Sequence, residues 1–353
     1  MRPRILRTPL HVRPDVDPVK IRAAATDPNC DGLTLHGGES PAQIDAIDRL
    51  LLERPDFRVC VGDADGLAAL DSLLNVRCLQ LFFGLGDDPI DLVAALGRFP
   101  LRRLRLHVPW LHDLSCLEVL PAGLEWLAIE ETERPKRNLA VLARFPSLRV
   151  LRLDGPGDPG EALAGLNALE ELSLQSVRHV DYGFLEALLR LRRLRIALCR
   201  LEDLSPVAAL PDLRYLELWM LKGLGNLDAL TRCRALVSLH LDSLPAITRL
   251  PDLSGLTRLA MVTLNSMNGL VDFSGLARCE ALEVVAFTPS KKPAARPRDL
   301  ADVLSAPALR QARIGFGHAG LNREFDALAD ASGISLTWDP DWARYEAMID
   351  CPD

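Results

Sequence analysis

The sequence predicts an α/β solenoid: a curved horseshoe with a parallel β-sheet on the concave face, helical N-terminal units and short 3-10 turns on the convex side. Three observations predict it. One template, LxxLxL, returns as Leu191-Leu194-Ile196, Leu213-Leu216-Leu218, Leu236-Leu239-Leu241, Leu259-Val262-Leu264 and Leu282-Val285-Phe287, at spacings of 22, 23, 23 and 23 residues. Apolar positions also recur between the returns, as in Leu201, Leu204, Val207 and Leu210. The return segments are short and rich in Pro and Gly, which suits 3-10 turns such as Leu204-Ser205-Pro206-Val207 better than long helices.

Residues 1–75 read as N-terminal capping units of longer strand–helix repeats, since an end repeat without a cap exposes its core. Cys30, Leu33 and Leu35 fit a short strand. Ser40 is placed to cap a helix with Pro41 in its first turn and Ile44, Ile47, Leu50 and Leu51 at helical spacing. Phe57, Val59 and Val61 fit the next strand, and Leu67, Leu70 and Leu73 a short helix ending before Asn75. The repeat array occupies 76–320, with strand openings at Val76, Leu101, Leu124, Leu148, Leu169, Leu191, Leu213, Leu236, Leu259, Leu282 and Leu309. A weaker strand is expected at Ala331. The main insertion, 288–299, reads TPSKKPAARPRD and is expected to protrude as an extended, mobile basic loop. Residues 321–353 form the C-terminal cap, where Trp342, Tyr345 and Met348 at helical spacing fit a helix packed over the last repeat.

A period of roughly 20 to 29 residues with this template is the signature of leucine-rich repeats. The run from Asp203 to Leu213, DLSPVAALPDL, resembles the short repeats of internalins and related bacterial leucine-rich repeat proteins. The first two units resemble the longer repeats of ribonuclease-inhibitor-type proteins. The resemblance implies a fold and a binding role, not a partner. One departure stands out. Where these repeats place an Asn whose amide ties down the turn, this chain has Val177, Cys199, Leu221, Leu244 and Met267. The backbone groups of those turns must find other partners, because buried ones cannot cheaply stay unpaired.

Composition narrows function. The net charge of −7, with both signs spread along the chain, argues against a general nucleic-acid binder, where a basic domain is expected. No segment has the roughly 18 uncharged apolar residues that span a bilayer, and residues 1–10 lack an apolar run of signal-peptide length. The eight cysteines form no close-spaced framework, and Cys233 and Cys279 share a core phase of the repeat, so a cytoplasmic location is expected.

Side chains alternate along a strand, so the positions between the template's apolar residues face a partner. The chain has five Trp and three Tyr, and Trp126, Tyr215 and Trp219 fall at such outward positions. Trp, Tyr and Arg are enriched among interface hot spots. The expected binding face is therefore centred on Arg193, Arg195, Tyr215, Glu217, Trp219, His240 and Asp242, with Trp126 and Arg152 extending it. The bland alternative is that the aromatics cover neighbouring strands and the charges form cross-strand pairs.

Catalytic chemistry is not expected. Asp63-Ala64-Asp65-Gly66 lacks the remaining ligands of a calcium loop and reads as a turn. His107 and His240 have no Cys partner at metal spacing. His240 and Asp242 share a face without a nucleophile motif. No cofactor and no metal are expected. The preferred reading is a non-catalytic scaffold, monomeric by default, that binds an unidentified protein on a preformed face with little ordering cost. The alternative is a binder of nucleic acid or another anionic surface through the outward Arg residues and the basic loop, recognisable by its steep salt dependence.

Overall fold

A computed structural model describes residues 8–85, 87, 91–111, 113–130, 139–155, 157, 160–177, 181–337 and 339–350. By backbone contacts the chain divides into two compact units, Met1–Ala168 and Leu169–Asp353.

The first unit runs β1 (Leu10–Val12), α1 (Pro18–Ala23), β2 (Gly32–Leu35), α2 (Pro41–Glu53), β3 (Arg58–Val61), α3 (Ala64–Leu70), β4 (Cys78–Phe82), α4 (Leu92–Leu96), β5 (Arg103–His107), β6 (Trp126–Glu130), β7 (Val150–Asp154) and α5 (Gly160–Ala164), with 3-10 turns at Ser115–Leu117 and Leu139–Arg144. All seven strands pair in parallel, in chain order. The register puts Leu33, Val59, Leu79, Leu104, Leu127 and Leu151 side by side, so the template's alternation lands on one face of every strand. These residues are buried.

Helix α2 starts as its residues dictate. Ser40 and Gln43 form a capping box, the Gln43 amide donating to Ser40 Oγ at 3.3 Å and the Ser40 amide to Gln43 Oε1 at 2.7 Å. Gln43 is itself buried, and its Nε2 donates to the carbonyl oxygens of Arg13 and Val16, at 2.8 Å each. That bond secures the connection from β1 to α1, two elements that carry no repeat template and that the sequence pattern does not reveal. Asp63 serves as N-cap of α3, accepting from the Gly66 amide at 2.7 Å, so the stretch from Ala64 to Gly66, expected as a turn, is the first turn of a helix.

The second unit runs β8 (Glu171–Gln175), β9 (Arg193–Ala197), α6 (Ser205–Ala208), β10 (Tyr215–Trp219), β11 (Ser238–Asp242), β12 (Met261–Asn265), β13 (Val284–Thr288), β14 (Gln311–Ile314), α7 (Ala319–Ala331) and α8 (Trp342–Asp350). Its 3-10 segments are Tyr182–Ala187, Asp228–Arg232, Ser274–Leu276 and Pro297–Ser305. Seven parallel strands again stand in chain order, with Leu172, Leu194, Leu216, Leu239, Val262, Val285 and Ala312 aligned across them. Each unit is a stretch of leucine-rich repeat solenoid.

The missing Asn column has a backbone answer. Immediately after five successive strands the chain passes through a left-handed residue: Ser176, Leu198, Met220, Ser243 and Ser266, with φ between 49° and 56°. For non-glycine residues this conformation costs roughly 1–2 kcal/mol. The amide of each of these residues donates to the carbonyl that ends the following strand, for instance Leu198 N to Trp219 O and Met220 N to Asp242 O, both at 2.9 Å, as Phe83 N does to His107 O without a left-handed residue. The following residue, Val177, Cys199, Leu221, Leu244 or Met267, can then be apolar and buried.

Three expectations are corrected. The 288–299 insertion does not protrude throughout. Pro293, Ala295 and Pro297 are buried, the Ala294 amide donates to Asn268 O at 2.8 Å, and the Arg296 guanidinium turns in to the carbonyls of Pro293, Ala294 and Ala295. Alternating burial holds the segment down, leaving Lys291, Lys292 and Arg298 exposed. No strand opens at Ala331, because α7 runs through it and only an isolated bridge joins Gln311 to Ser335. Finally, the helix around Trp342–Met348 exists, but it does not sit over the last repeat. It lies across the outward face of the sheet, from β13 to β9.

Candidate protein-binding face

In the first unit the outward residues form Arg–aromatic stacks. The Arg105 guanidinium lies 4.9 Å from the Phe82 ring centre and donates to Glu130 Oε2 from Nε at 2.8 Å and Nη2 at 2.5 Å. The His107 ring packs tilted beside Phe82, with centres 5.7 Å apart. Arg152 lies 5.6 Å from the Trp126 ring, so these two predicted site residues meet each other. Trp126 is half-buried.

In the second unit Arg195, Glu217, Tyr215, His240 and Trp219 form one network. Arg195 Nε donates to Glu217 Oε1 and Nη1 to Gln175 Oε1, each at 2.9 Å, and the guanidinium stacks 5.4 Å from Trp219. Tyr215 donates its hydroxyl to Glu217 Oε2 at 2.8 Å and packs 5.0 Å from the His240 ring. Desolvation lowers the His240 pKa to about 4, against the opposing pull of Glu217. The ring is therefore neutral at pH 7, and its Nε2 shares a 2.9 Å hydrogen bond with Ser238 Oγ. Asp242 accepts from Ser243 Oγ at 2.7 Å.

Part of this predicted face is already covered. Arg193 is 8% exposed and donates to Glu346 Oε2 at 2.6 Å and to Asp350 Oδ1 at 2.7 Å, both on α8. Burial works against its charged form, and those two carboxylates outweigh it, so its pKa is raised. Tyr215 packs against a buried cluster of Val237, Ala260, Met261, Val284, Tyr345 and Ile349. The alternation predicts Arg193 and Tyr215 as open to a partner. Arg193 is instead bound to α8, and Tyr215, half-buried, packs against the cluster that α8 completes. Arg195 and Glu217, in the middle column with His240, and Trp219 and Asp242, at the strand ends, remain half-buried.

Residues that sequence reasoning passed over include Arg192, Arg214 and Glu283, and the inner face of α8 was expected over the last repeat instead. A signal was present. Val237, Ala260, Met261 and Val284 put an apolar run at strand openings where a solvated face would carry polar residues, and α8 has a matching apolar stripe. Two further exposed apolar residues, Leu198 at 41% and Met220 at 46%, flank Trp219 in the left-handed turns.

Chemically, the face offers pre-ordered guanidinium–aromatic surfaces and paired charges. Ser238 is 2% exposed, so the Ser238–His240 pair is a packed hydrogen bond, not an accessible nucleophile. Among the described residues no group of three or more His, Cys, Asp and Glu side chains is placed to hold a metal ion. No described helix is long and apolar enough to cross a membrane.

Comparison with known proteins agrees with the fold. No family model and no curated sequence matches the chain. Among solved structures it resembles an internalin (inlF) from Listeria monocytogenes, with a TM-score of 0.58 at 18% identity over 85% of this chain and 89% of that one. It also resembles a leucine-rich repeat protein of Leptospira interrogans, with a TM-score of 0.50 at 16% identity over 88% and 90%. A TLR13–ssRNA13 complex matches with a TM-score of 0.54 at 18% identity over 84% of this chain but 45% of that one. At these identities the likeness is one of fold: the structure has the leucine-rich repeat fold.

Proposed function

We propose that the chain is a non-catalytic scaffold of the cytoplasm that docks a protein partner on its outward sheet face. The observation that carries this reading is the pair of Arg–Trp stacks, Arg195 on Trp219 and Arg152 on Trp126, held in place but not buried. Two of the five Trp residues stand at outward sheet positions, where they contribute little to a core. Ordered guanidinium and indole groups lose little freedom on binding, which favours an interface. Leu198 and Met220 extend the Trp219 surface with exposed apolar area in conformations that stability alone disfavours. Within this reading Trp219, Arg195, Glu217 and Asp242 form the contact surface of the second unit, and Trp126 and Arg152 form a surface belonging to the first unit by itself. Arg193, Tyr215 and His240 support the face. Buried free thiols, six of the seven described cysteines, suit a reducing compartment.

The nucleic-acid alternative has less support, because Arg195 and Arg105 are already paired with Glu217 and Glu130. The test is affinity capture from the native host with crosslinking, comparing wild type with Trp219→Ala and Trp126→Ala. A protein crosslinked to the sheet face of wild type and reduced about tenfold or more with Trp219→Ala is the expected result, given the usual weight of Trp at hot spots. Equal capture by all three chains sinks the reading. Recovery of nucleic acid alone, released by moderate salt, replaces it with the alternative.

A further inference from the structure

Helix α8 brings to the sheet what a bound peptide would bring. Trp342, Tyr345 and Ile349 follow helical spacing, and Tyr345 and Ile349 are buried against Val237, Ala260, Met261 and Val284. Charges bracket this apolar seam. At one end Arg344 holds Glu283 through two bonds of 2.7 and 2.8 Å, and Tyr345 donates its hydroxyl to the same carboxylate at 3.0 Å. At the other end Glu346 and Asp350 meet Arg193.

The groove also reads helix direction. The last carbonyls of a helix have no partner inside it and carry its negative end. Here Arg192 donates to Asp350 O at 3.1 Å and Arg214 to Met348 O at 3.4 Å. Arg214 is 2% exposed. Three guanidinium groups, one on β9 and two just before β9 and β10, thus converge on the end of one helix, and a buried cation is tolerated only with such partners.

Helix α8 is held to the sheet through side chains, whereas the strands beneath it are held by backbone pairing on both sides. A helix of nine residues is marginal alone, so it keeps its shape only while docked. Arg344 and Asp350 sit at the rim with side chains 46% and 64% exposed, where ion pairs contribute little. Local opening begins with such lightly anchored elements.

We propose that this groove is a docking site for an amphipathic helix of a partner protein, with apolar residues at i, i+3 and i+7 and acidic residues in its second half, and that α8 is its built-in competitor. The proposal rests on the reading of the sheet face as a protein-binding surface and adds the partner's chemistry and a means of control. The partner must displace α8, so its apparent affinity is reduced by the fraction of time the groove is covered.

The test uses the full-length chain and a fluorescent synthetic peptide of residues 340–350, read by anisotropy. In a Tyr345→Ala, Ile349→Ala chain the tethered helix is weakened, and the peptide is expected to bind about tenfold or more tightly than it binds wild type. A peptide carrying Glu346→Arg and Asp350→Arg loses that binding, and adding Arg193→Glu to the chain restores it. A folded double variant that ignores the wild-type peptide up to about 1 mM overturns the proposal. If the double variant fails to fold, hydrogen exchange on wild type decides. Amides of α8 exchanging about 100-fold or more ahead of β9–β13 support it, and exchange of helix and strands together overturns it. A dimer that exchanges α8 between copies overturns the partner-helix assignment in favour of a second copy. Trp219 lies at the uncovered strand ends, so loss of the capture result and loss of peptide binding are separate outcomes.

Discussion

At the strand openings of the second unit, the outward column Arg193, Tyr215, Ser238, Met261 and Val284 is packed beneath α8. At the strand ends of the same sheet, Trp219, Asp242, Asn265 and Thr288 keep contact with solvent. Both columns obey one alternation and belong to the same five-residue strands. The difference teaches that alternation assigns a side chain to a face of a sheet, whereas what covers that face is decided elsewhere in the chain. It also separates two kinds of strain. The covered edge buries charges and matches them with partners. The open edge keeps Leu198 and Met220 in left-handed turns with little burial in return.

His240, in the column between the edges, gives the largest expected effect. Its neutral form is held in the fold down to about pH 4, while an unfolded imidazole takes its proton near 6.5. The folded pKa lies below the unfolded one, so this stabilisation is fully present above pH 6.5 and is lost as pH falls towards 4. The loss amounts to about 3 kcal/mol at most. Denaturant midpoints measured across that window should fall for wild type and fall less for His240→Gln. An NMR titration of His240 near 6.5 would place the middle column with the open edge instead.

Val237→Asp sharpens the contrast next. Val237 is fully buried under α8, so an introduced carboxylate should cost about 2 kcal/mol, the loss being limited because release of α8 lets water in. Its signature is faster hydrogen exchange in α8. Thr288→Asp, at the exposed edge, should stay within about 0.5 kcal/mol. Equal effects at the two sites would erase the distinction between the edges. The smallest expected change is at the turns. Leu198→Gly and Met220→Gly should each raise stability by about 0.5 kcal/mol, as relief of left-handed strain outweighs the entropy of glycine. On the proposed function, the same changes weaken partner binding. Lower stability in both variants would mean that these side chains contribute to packing more than their exposure suggests.

Much of the fold was legible in the sequence. The strands from β4 to β14 fall where the template predicts, and Ser40 and Pro41 mark the start of α2. Strand β1 and helix α1 were not legible, because three and six residues are too few to show a period and the Gln43 bonds that secure their connection arise 27 and 30 residues away. The candidate site was legible as a set of outward residues, and the Arg195–Trp219 and Arg152–Trp126 stacks join residues named from the pattern. The covering of Arg193 and Tyr215 was not, since their partners on α8 lie more than 100 residues away.

The sequence by itself determined the repeat, its core and the face each side chain takes. Those follow from local periodicity and from the need of every strand to bury the same two positions. It also marked a helix in the tail through Trp342, Tyr345 and Met348 at helical spacing. Only the tertiary structure decided where that helix goes. An apolar stripe records how much surface must be buried, and not against which surface. The choice was made by Glu283 at one end and by Arg192, Arg193 and Arg214 at the other, which fix the helix's position and direction together. The left-handed turns likewise belong to the stacked repeats, where the amide of each such residue meets the carbonyl that ends the following strand.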